Sequence, residues 1–343
     1  MDISAVIPTR NRKESLYRLL KSLNEQTLRV KEVIIIDSSD ELLSPATLQS
    51  DFPNLTTLYK TSVPAACIQR NEGIKIASAS HIFLCPDDLE VPQEYLSSLV
   101  HFLQEHPEAG AVSGLLFEPD ENGVLAYHFP TVRLRGLIWK LIFQQSVWAD
   151  LSVVETTTFG KPVLSLCRQY YSRKANTYSL AGWPLVTQIE SPFFRTALFS
   201  MGGAVIRRDW LLQSPYDEIL DQHGIGDNYG VTLNFPEPRP VWVTSTAFVV
   251  HHKVQENRLP KDLTYFRRIL ALHYFMKFSP KFSTINHLFL LWSLVGNLIY
   301  FIVKNQPHMR RATSRAMLLI ATGQNPYVLA KQNGNSKCIT PML

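Results

Sequence analysis

The chain has little cysteine and no cysteine pattern. Its four cysteines, Cys67, Cys85, Cys167 and Cys338, are scattered over 343 residues with no CxxC pair and no metal-finger spacing. That excludes a disulfide scaffold and points to a reducing compartment. A strong charge of one sign is missing too. The net charge of +5 is small for this length, so no nucleic-acid partner is expected, while an anionic substrate or an anionic lipid neighbour fits. The opening MDISAVIPTRNR lacks a charged segment followed by a long apolar one; no signal peptide is expected, and the protein is expected to stay in the cytoplasm. No GxGxxG follows the first apolar run and no P-loop signature occurs anywhere, which removes the main support for a dinucleotide or P-loop enzyme. Internal repeats and low-complexity segments are lacking as well. With 45% hydrophobic and 18% charged residues, the chain reads as folded and globular. It is long enough for one large domain or a domain with an appendage.

What is present first is alternation. ISAVIP and EVIIID are short β-branched runs, and between them RKESLYRLLKSLNEQ places Leu16, Leu19, Leu20 and Leu23 on one helical face. Strand, helix, strand in that order predicts a right-handed parallel crossover. The pattern continues with NLTTLY, CIQRNEGIKIASAS, HIFL, QEYLSSLVHFLQEH and GAVSGLLF, read as strand, helix, strand, helix, strand. An open α/β sheet of this kind binds ligands beyond the carboxyl ends of its strands. Thr9 and Arg10 follow the first strand, Asp37 ends the second, and Asp87 and Asp88 follow HIFL. Taken singly, each is readable as a loop or helix cap; together they converge on the ligand-binding edge. Adjacent carboxylates repel unless a cation holds them, and hard oxygen ligands suit Mg²⁺ or Mn²⁺. Such an ion commonly bridges a diphosphate, with a nucleoside along the edge made by Thr9, Arg10 and Asp37.

These ordered pieces resemble the family 2 glycosyltransferases. VIPTRNR, containing Pro8, Thr9 and Arg10, is similar to the family's opening strand and nucleotide loop. EVIIIDSSD is similar to its second strand with the base-contacting aspartate, here Asp37. CIQRNEGIKIASASHIFLCPDD resembles the Arg-Asn-x-Gly helix, with Arg70, leading into the metal-binding DxD strand. Downstream, SMGGAVIRRDWL resembles the acceptor-side Gly-rich strand with paired arginines, Arg207 and Arg208. YDEILDQHGIGDNYGVTLNF resembles the segment ending in the Glu-Asp catalytic motif, and VWVTSTAFVVHH the late strand whose histidine, here His251, ligates the metal in several members.

The resemblance implies an α/β fold: a GT-A-type open mixed sheet with a Rossmann-like nucleotide-binding first half, followed by a C-terminal helical segment. Its expected divisions are 1–118, 119–255 and 256–343. The implied activity is metal-dependent, inverting transfer of a sugar from a nucleotide-diphosphate sugar to a glycan or lipid-linked acceptor, as in polysaccharide or cell-envelope assembly. Pro8, Thr9, Arg10, Asp37, Arg70 and Asp87 would hold the donor. Asp87, Asp88 and His251 would hold Mn²⁺ or Mg²⁺, and Asp227, the only carboxylate in GIGDNYG, would be the general base. Cys85 stands where the family has the first aspartate, which leaves the ribose contact open. A register one residue on would put Asn228 at the base position, and Cys85 and Asn228 together motivate a second reading, a non-catalytic nucleotide-sugar-binding protein. A nucleotidyltransferase ranks third, because PTRNRKES supplies no glycine for a phosphate loop. His251 stays open between a hydrogen-bonded strand end and a metal ligand.

The later sequence changes character. VRLRGLIWKLIFQQSVW is amphipathic and basic, fitting either a membrane interface or a core-facing helix. Leu288 to Val303 is uncharged; as a helix it would reach about 24 Å, short of the ~30 Å hydrocarbon core. Ser293, Asn297 and Tyr300 form a polar stripe on it, and Lys304, Arg310, Arg311 and Arg315 follow. Peripheral attachment at the cytoplasmic face of the membrane is the expectation drawn from this segment.

Overall fold

The structure is a computed structural model and describes residues 1–120, 123–127, 132–198, 201–253, 256–335 and 337–343. It divides into two compact units, each assembled from separate stretches of chain. The first comprises Met1–His128, Glu190–Tyr216 and Asn234–Arg258, the second Phe129–Ile189, Asp217–Leu233 and Leu259–Leu343.

The first unit opens with β1 (Ile3–Thr9), α1 (Lys13–Asn24), β2 (Glu32–Asp37), α2 (Pro45–Asp51), β3 (Thr57–Thr61), α3 (Ala66–Ile76) and β4 (His81–Leu84). Leu16, Leu19, Leu20 and Leu23 are buried on α1 as their spacing predicts, and β2 is buried along its whole length, as a strand covered on both faces must be. Next come β5 (Leu89–Glu90), α4 (Tyr95–Glu105), β6 (Ala111–Pro119) and β7 (Leu125–Tyr127). The chain then leaves this unit for α5 (Leu134–Ile142), β8 (Val147–Trp148), α6 (Lys161–Lys174) and β9 (Leu185–Val186). It returns for β10 (Phe193–Thr196), β11 (Ala204–Arg207) and α7 (Arg208–Gln213), leaves for α8 (Asp227–Leu233), and comes back once more for β12 (Val241–His251). Finally α9 (Lys261–Phe278), α10 (Thr284–Val303), α11 (Pro307–Ala321) and α12 (Pro326–Gln332) belong to the second unit.

The sheet runs β10-β12-β6-β11-β4-β1-β2-β3, with β5 added to β12 and β7 to β6. Strands β4, β1, β2 and β3 are parallel, whereas β11 is antiparallel to both β4 and β6. The sheet is therefore mixed, as expected. Thr9 lies opposite Asp37 and Val6 opposite Leu84, so the three strand ends finish on one edge.

Strand β12 runs parallel to β6, shifts register between Val243 and Phe248, and then pairs antiparallel with β5, His251 opposite Leu89. Close backbone approach makes this bend possible. A Cβ on Gly114 would stand 2.5 Å from the Ala247 carbonyl oxygen and 2.6 Å from the Tyr95 ring. The Tyr95 hydroxyl accepts from Gly114 N at 2.7 Å and donates to Gly203 O at 2.6 Å.

In the second unit, α5, α6 and the parallel pair β8–β9 enclose a core of Leu137, Val147, Leu164, Cys167, Tyr171 and Leu185. The stretch 119–255 is shared between the two units. Among the described residues, 132–189 and 217–233 contribute no strand to the large sheet, and they pack with the C-terminal helices instead. Tyr229 of α8 donates to Gly182 O at 2.8 Å, and a Cβ on Gly230 would meet the Phe275 ring of α9 at 2.3 Å.

Helix α10 is longer than the apolar run alone implies. Ser283 and Asn286 form a capping box that starts it at Thr284, and its 20 residues reach about 30 Å. By length and composition it could cross a membrane, with 28% of its apolar window buried. Two members of the expected polar stripe are packing contacts: Ser293 accepts from Trp183 Nε1 at 2.6 Å, and Asn297 bonds Gln145 and the Tyr265 hydroxyl at 2.8 Å each.

Gly114→Ala is expected to destabilise the protein by roughly 1–3 kcal/mol through overpacking. Gly136→Ala in α5, where the nearest atom to a Cβ is 3.7 Å away, should be neutral or stabilising by up to about 1 kcal/mol. Chemical unfolding followed by circular dichroism separates the two, and equal effects would contradict the close-approach account.

Candidate active site

The carboxyl edge of the sheet is held by side chains that reach between strand ends. Buried Gln69 of α3 donates from Nε2 to Thr9 O at 3.0 Å and to Ile36 O at 2.8 Å. Asn11, at φ 52°, turns the chain after β1 and exchanges hydrogen bonds with Asp40: Nδ2 to Oδ2 at 2.7 Å, and Asp40 N to Oδ1 at 2.8 Å. Asp37 is fully buried, accepting from Tyr59 OH at 2.6 Å and from Ser39 N at 2.8 Å. Burial and the bond to Asp37 push the Tyr59 hydroxyl up to about 12.

Asp87 and Asp88 follow β4 and are both buried. Thr9 Oγ1 donates to Asp87 Oδ2 at 2.8 Å, and Arg12 Nη1 donates to Asp87 Oδ1 at 3.0 Å. Burial raises the Asp87 pKa, with Arg12 opposing and Asp88 adding to the rise. Asp88 Oδ2 meets Arg258 Nη2 at 2.8 Å, His251 Nε2 at 3.3 Å and Arg12 Nη1 at 3.9 Å. Burial alone would raise its pKa, but the His251 hydrogen bond and charge, then Arg12 and Arg258, bring it down to about 2. The positive groups opposite the two aspartates are thus guanidinium and imidazole of the chain itself. The residues beside Arg258 are tied to the same edge: Arg12 donates to Glu256 O from Nε at 2.9 Å and from Nη2 at 2.5 Å, and Asn257 Nδ2 donates to Arg10 O at 2.7 Å.

His251 reaches Asp88 because β12 pairs with β5. Its Nδ1 faces Glu118 Oε1 at 3.1 Å, and Lys253 forms an ion pair with the same carboxylate. Burial would lower the imidazole pKa; the hydrogen bonds to Asp88 and Glu118 outweigh it and raise it. Metal-ligating histidines use a carboxylate in this way to orient the ring and free the other nitrogen. Two aspartates and an imidazole are a donor set for Mn²⁺ or Mg²⁺, and Arg258 stands as a cation where Asp88 and His251 both point. The donor chemistry therefore fits such an ion, although among the described residues no three ligating side chains converge as they stand.

The remaining expected residues lie as follows. Pro8 is half-buried near the end of β1, and Arg10 is half-buried with its Nε lacking a hydrogen-bond partner. The Arg70 guanidinium stacks 5.2 Å over the Tyr216 ring. Cys85 belongs to the main core, and its thiol, pushed well up by burial, donates to Phe83 O at 3.4 Å. Arg207 pairs with Asp209 at 2.7 Å, and Arg208 donates to Ile74 O and Lys75 O at the end of α3, at 3.0 and 2.8 Å. Opposite His81 in the register, Arg207 marks the amino end of β4, away from the two aspartates. Ser200, at the start of the Gly-rich stretch, lies outside the described residues. In the second unit Asp227 begins α8, is buried, and accepts from Asn228 N at 2.6 Å. Arg12, Glu118, Lys253 and Arg258 are the site residues that sequence reasoning missed.

The mixed sheet thus carries an acid pair and the loop after β1 on its carboxyl edge. The family model described as Glycosyl transferase family 2 matches residues 4–155. The uncharacterized glycosyltransferase YwdF of Bacillus subtilis (strain 168) is 41% identical over 269 residues, covering 69% of this chain and 91% of that protein. The chain belongs to glycosyl transferase family 2 and is a glycosyltransferase. Among solved structures, residues 1–349 of S. aureus TarS in complex with UDP-GlcNAc align over 98% of this chain and 93% of that one, at TM-score 0.55 and 13% identity. A second structure of S. aureus TarS 1–349 aligns at TM-score 0.53 and 13% identity, over 98% of this chain and 92% of that one. At that identity the likeness is one of fold.

Arg12→Met leaves Asp87 buried without its main counter-charge and is expected to cost about 3 kcal/mol at pH 7. A carboxyl whose folded pKa lies above its unfolded value stabilises the fold below the unfolded value, and that contribution is lost as pH rises through the folded one. The deficit of the variant should therefore shrink when the pH is lowered from 7 to 4, since burial raises the Asp87 pKa. Urea unfolding at the two pH values measures it; a deficit that grows on acidification contradicts the pairing.

Proposed function

We propose that this glycosyltransferase moves a sugar from a nucleotide-diphosphate sugar to a hydroxyl of a glycan or lipid-linked acceptor, with inversion at the anomeric carbon. The observation that carries it is the pair of buried aspartates, Asp87 and Asp88, at the strand edge that also ends in Thr9 and Asp37. The UDP-GlcNAc complex of TarS supports a donor of this class. Thr9, Arg10 and Asp37, next to Pro8, are assigned to the nucleoside, and Arg70, stacked on Tyr216, to the donor as well. Asp87, Asp88 and His251 would hold Mn²⁺ or Mg²⁺, which when bound supplies positive charge to the departing diphosphate. Asp227 takes the proton from the acceptor hydroxyl as it attacks the face opposite the leaving group; an ionised aspartate within hydrogen-bond reach suffices. Cys85 and Asn228 favour one rival, a nucleotide-sugar-binding protein without turnover.

Asp227→Asn is expected to reduce transfer by about 10²- to 10⁴-fold, with Asn228→Ala much milder and EDTA lowering transfer by the wild type. Sugar-nucleotide turnover on a panel of acceptors reads this. Undiminished transfer by Asp227→Asn removes that residue from its role, and nucleotide binding without any turnover supports the rival.

We also assign a membrane-surface contact to the second unit, at the cytoplasmic face. Ile285, Leu288, Trp292, Ile299 and Val303 of α10 are exposed, and the exposed Lys304, Arg310, Arg311 and Arg315 follow. Neither α10 nor α11 contains an acid, which suits an anionic leaflet. Co-sedimentation should show binding to vesicles containing anionic lipid, weakened by salt and by Trp292→Ser, and little binding to neutral vesicles. Equal recovery with both vesicle types speaks against the contact.

A further inference from the structure

The place into which Asp88 and His251 both point already holds a positive charge. Arg258 Nη2 lies 2.8 Å from Asp88 Oδ2 and 3.3 Å from His251 Nε2. Glu118 engages the other ring nitrogen at 3.1 Å, so Nε2 is the ring atom left facing both Asp88 and that guanidinium. A divalent ion on Asp88 and His251 would use the same oxygen lone pair and the same nitrogen, at metal–oxygen distances of roughly 2.0–2.2 Å. Guanidinium and ion cannot share that place, since two cations at such separations repel strongly.

We propose that Arg258 is a resident competitor for the divalent ion: it holds Asp88 and His251 in ligating orientation and must leave before the ion binds. This rests on the reading that Asp88 and His251 ligate the ion. The surroundings suit an exchange. Besides Arg258, Asp88 has His251 at 3.3 Å and Arg12 at 3.9 Å, and Asp87 has its own partner in Arg12. Glu256 and Asn257 are tied to Arg12 and Arg10 through contacts that do not involve the Arg258 side chain. The side chain can therefore swing out while the backbone beside it stays anchored. Arg258 is a positioning residue in this account, and its effect falls on ion affinity before any chemistry.

The test is Mn²⁺ binding to the full-length protein without nucleotide, read by electron paramagnetic resonance of free Mn²⁺ and by calorimetry. If Arg258 fills the place in about nine of ten molecules, Arg258→Met tightens Mn²⁺ binding about tenfold. Arg258→Lys, which keeps the charge but loses the fork, should fall between wild type and the Met variant. Lys253→Met removes a cation that sits on Glu118 rather than in the ion's place, and should change affinity by less than about threefold. Melting curves confirm that the variants are folded. Unchanged or weaker Mn²⁺ binding by Arg258→Met overturns the competition. Equal tightening by Arg258→Met and Lys253→Met overturns it too, by showing a general charge effect. If no form binds Mn²⁺, the ion assignment falls and the competition with it, whereas transfer from the sugar nucleotide would still stand or fall on the turnover assay.

Discussion

Two carboxylates buried side by side at the end of a strand persist only where positive charge faces them, and much of the site is arranged around that requirement at Asp87 and Asp88. Thr9 and Arg12 come to Asp87 from β1 and the loop after it, while Arg258 and His251 come to Asp88 from the end of β12 and beyond. These groups enter the unit from distant parts of the chain, and the acid pair gives them a common partner. The sheet serves the same end. The antiparallel seam between β12 and β5 aligns His251 with Leu89, the neighbour of Asp88, and the Tyr95 hydroxyl braces β6 where β12 passes closest.

An acid pair compensated by side chains already has its charge balanced, and the proposed ion would take the place of one of those side chains. Hydrogen bonds from a guanidinium are exchangeable, whereas a buried aliphatic partner would have closed the place permanently. Glu118 and Lys253 add a second layer by fixing the ring of His251, the arrangement that tunes histidine ligands in metal sites. Membership of glycosyl transferase family 2 rests on the sequence relationship, and the TarS structures add the fold. The chemical assignments depend on the residues themselves.

Much of the first unit was legible in the sequence because its signals are local. The leucine spacing of α1, the continuous apolar run of β2 and the HIFL strand each announce themselves within a few residues, and parallel crossovers then bring Thr9, Asp37 and Asp87 to one edge. The counter-charges were not legible, because nothing local marks a partner that is distant in sequence. VIPTRNR offers two arginines, and it is the left-handed turn at Asn11 that sends Arg12, not Arg10, to Asp87. Cys85 stood where an acid was expected and proved to be a core residue. The start of α10 was missed because its capping box precedes the apolar run. Which neighbours 129–189 and 217–233 join was not legible either, because they carry ordinary helix and loop signals.

The central claim is that the edge holding Asp87 and Asp88 receives a nucleotide diphosphate together with a divalent ion. A crystal structure of the full chain grown with UDP and Mn²⁺ tests it most directly, because the anomalous signal of manganese locates the ion independently of the nucleotide. The account predicts that signal between Asp88 and His251, with the Arg258 guanidinium displaced and the nucleotide lying along Thr9, Arg10 and Asp37. Nucleotide bound at the opposite end of β4, beside His81 and Arg207, with Arg258 still seated on Asp88, would contradict it.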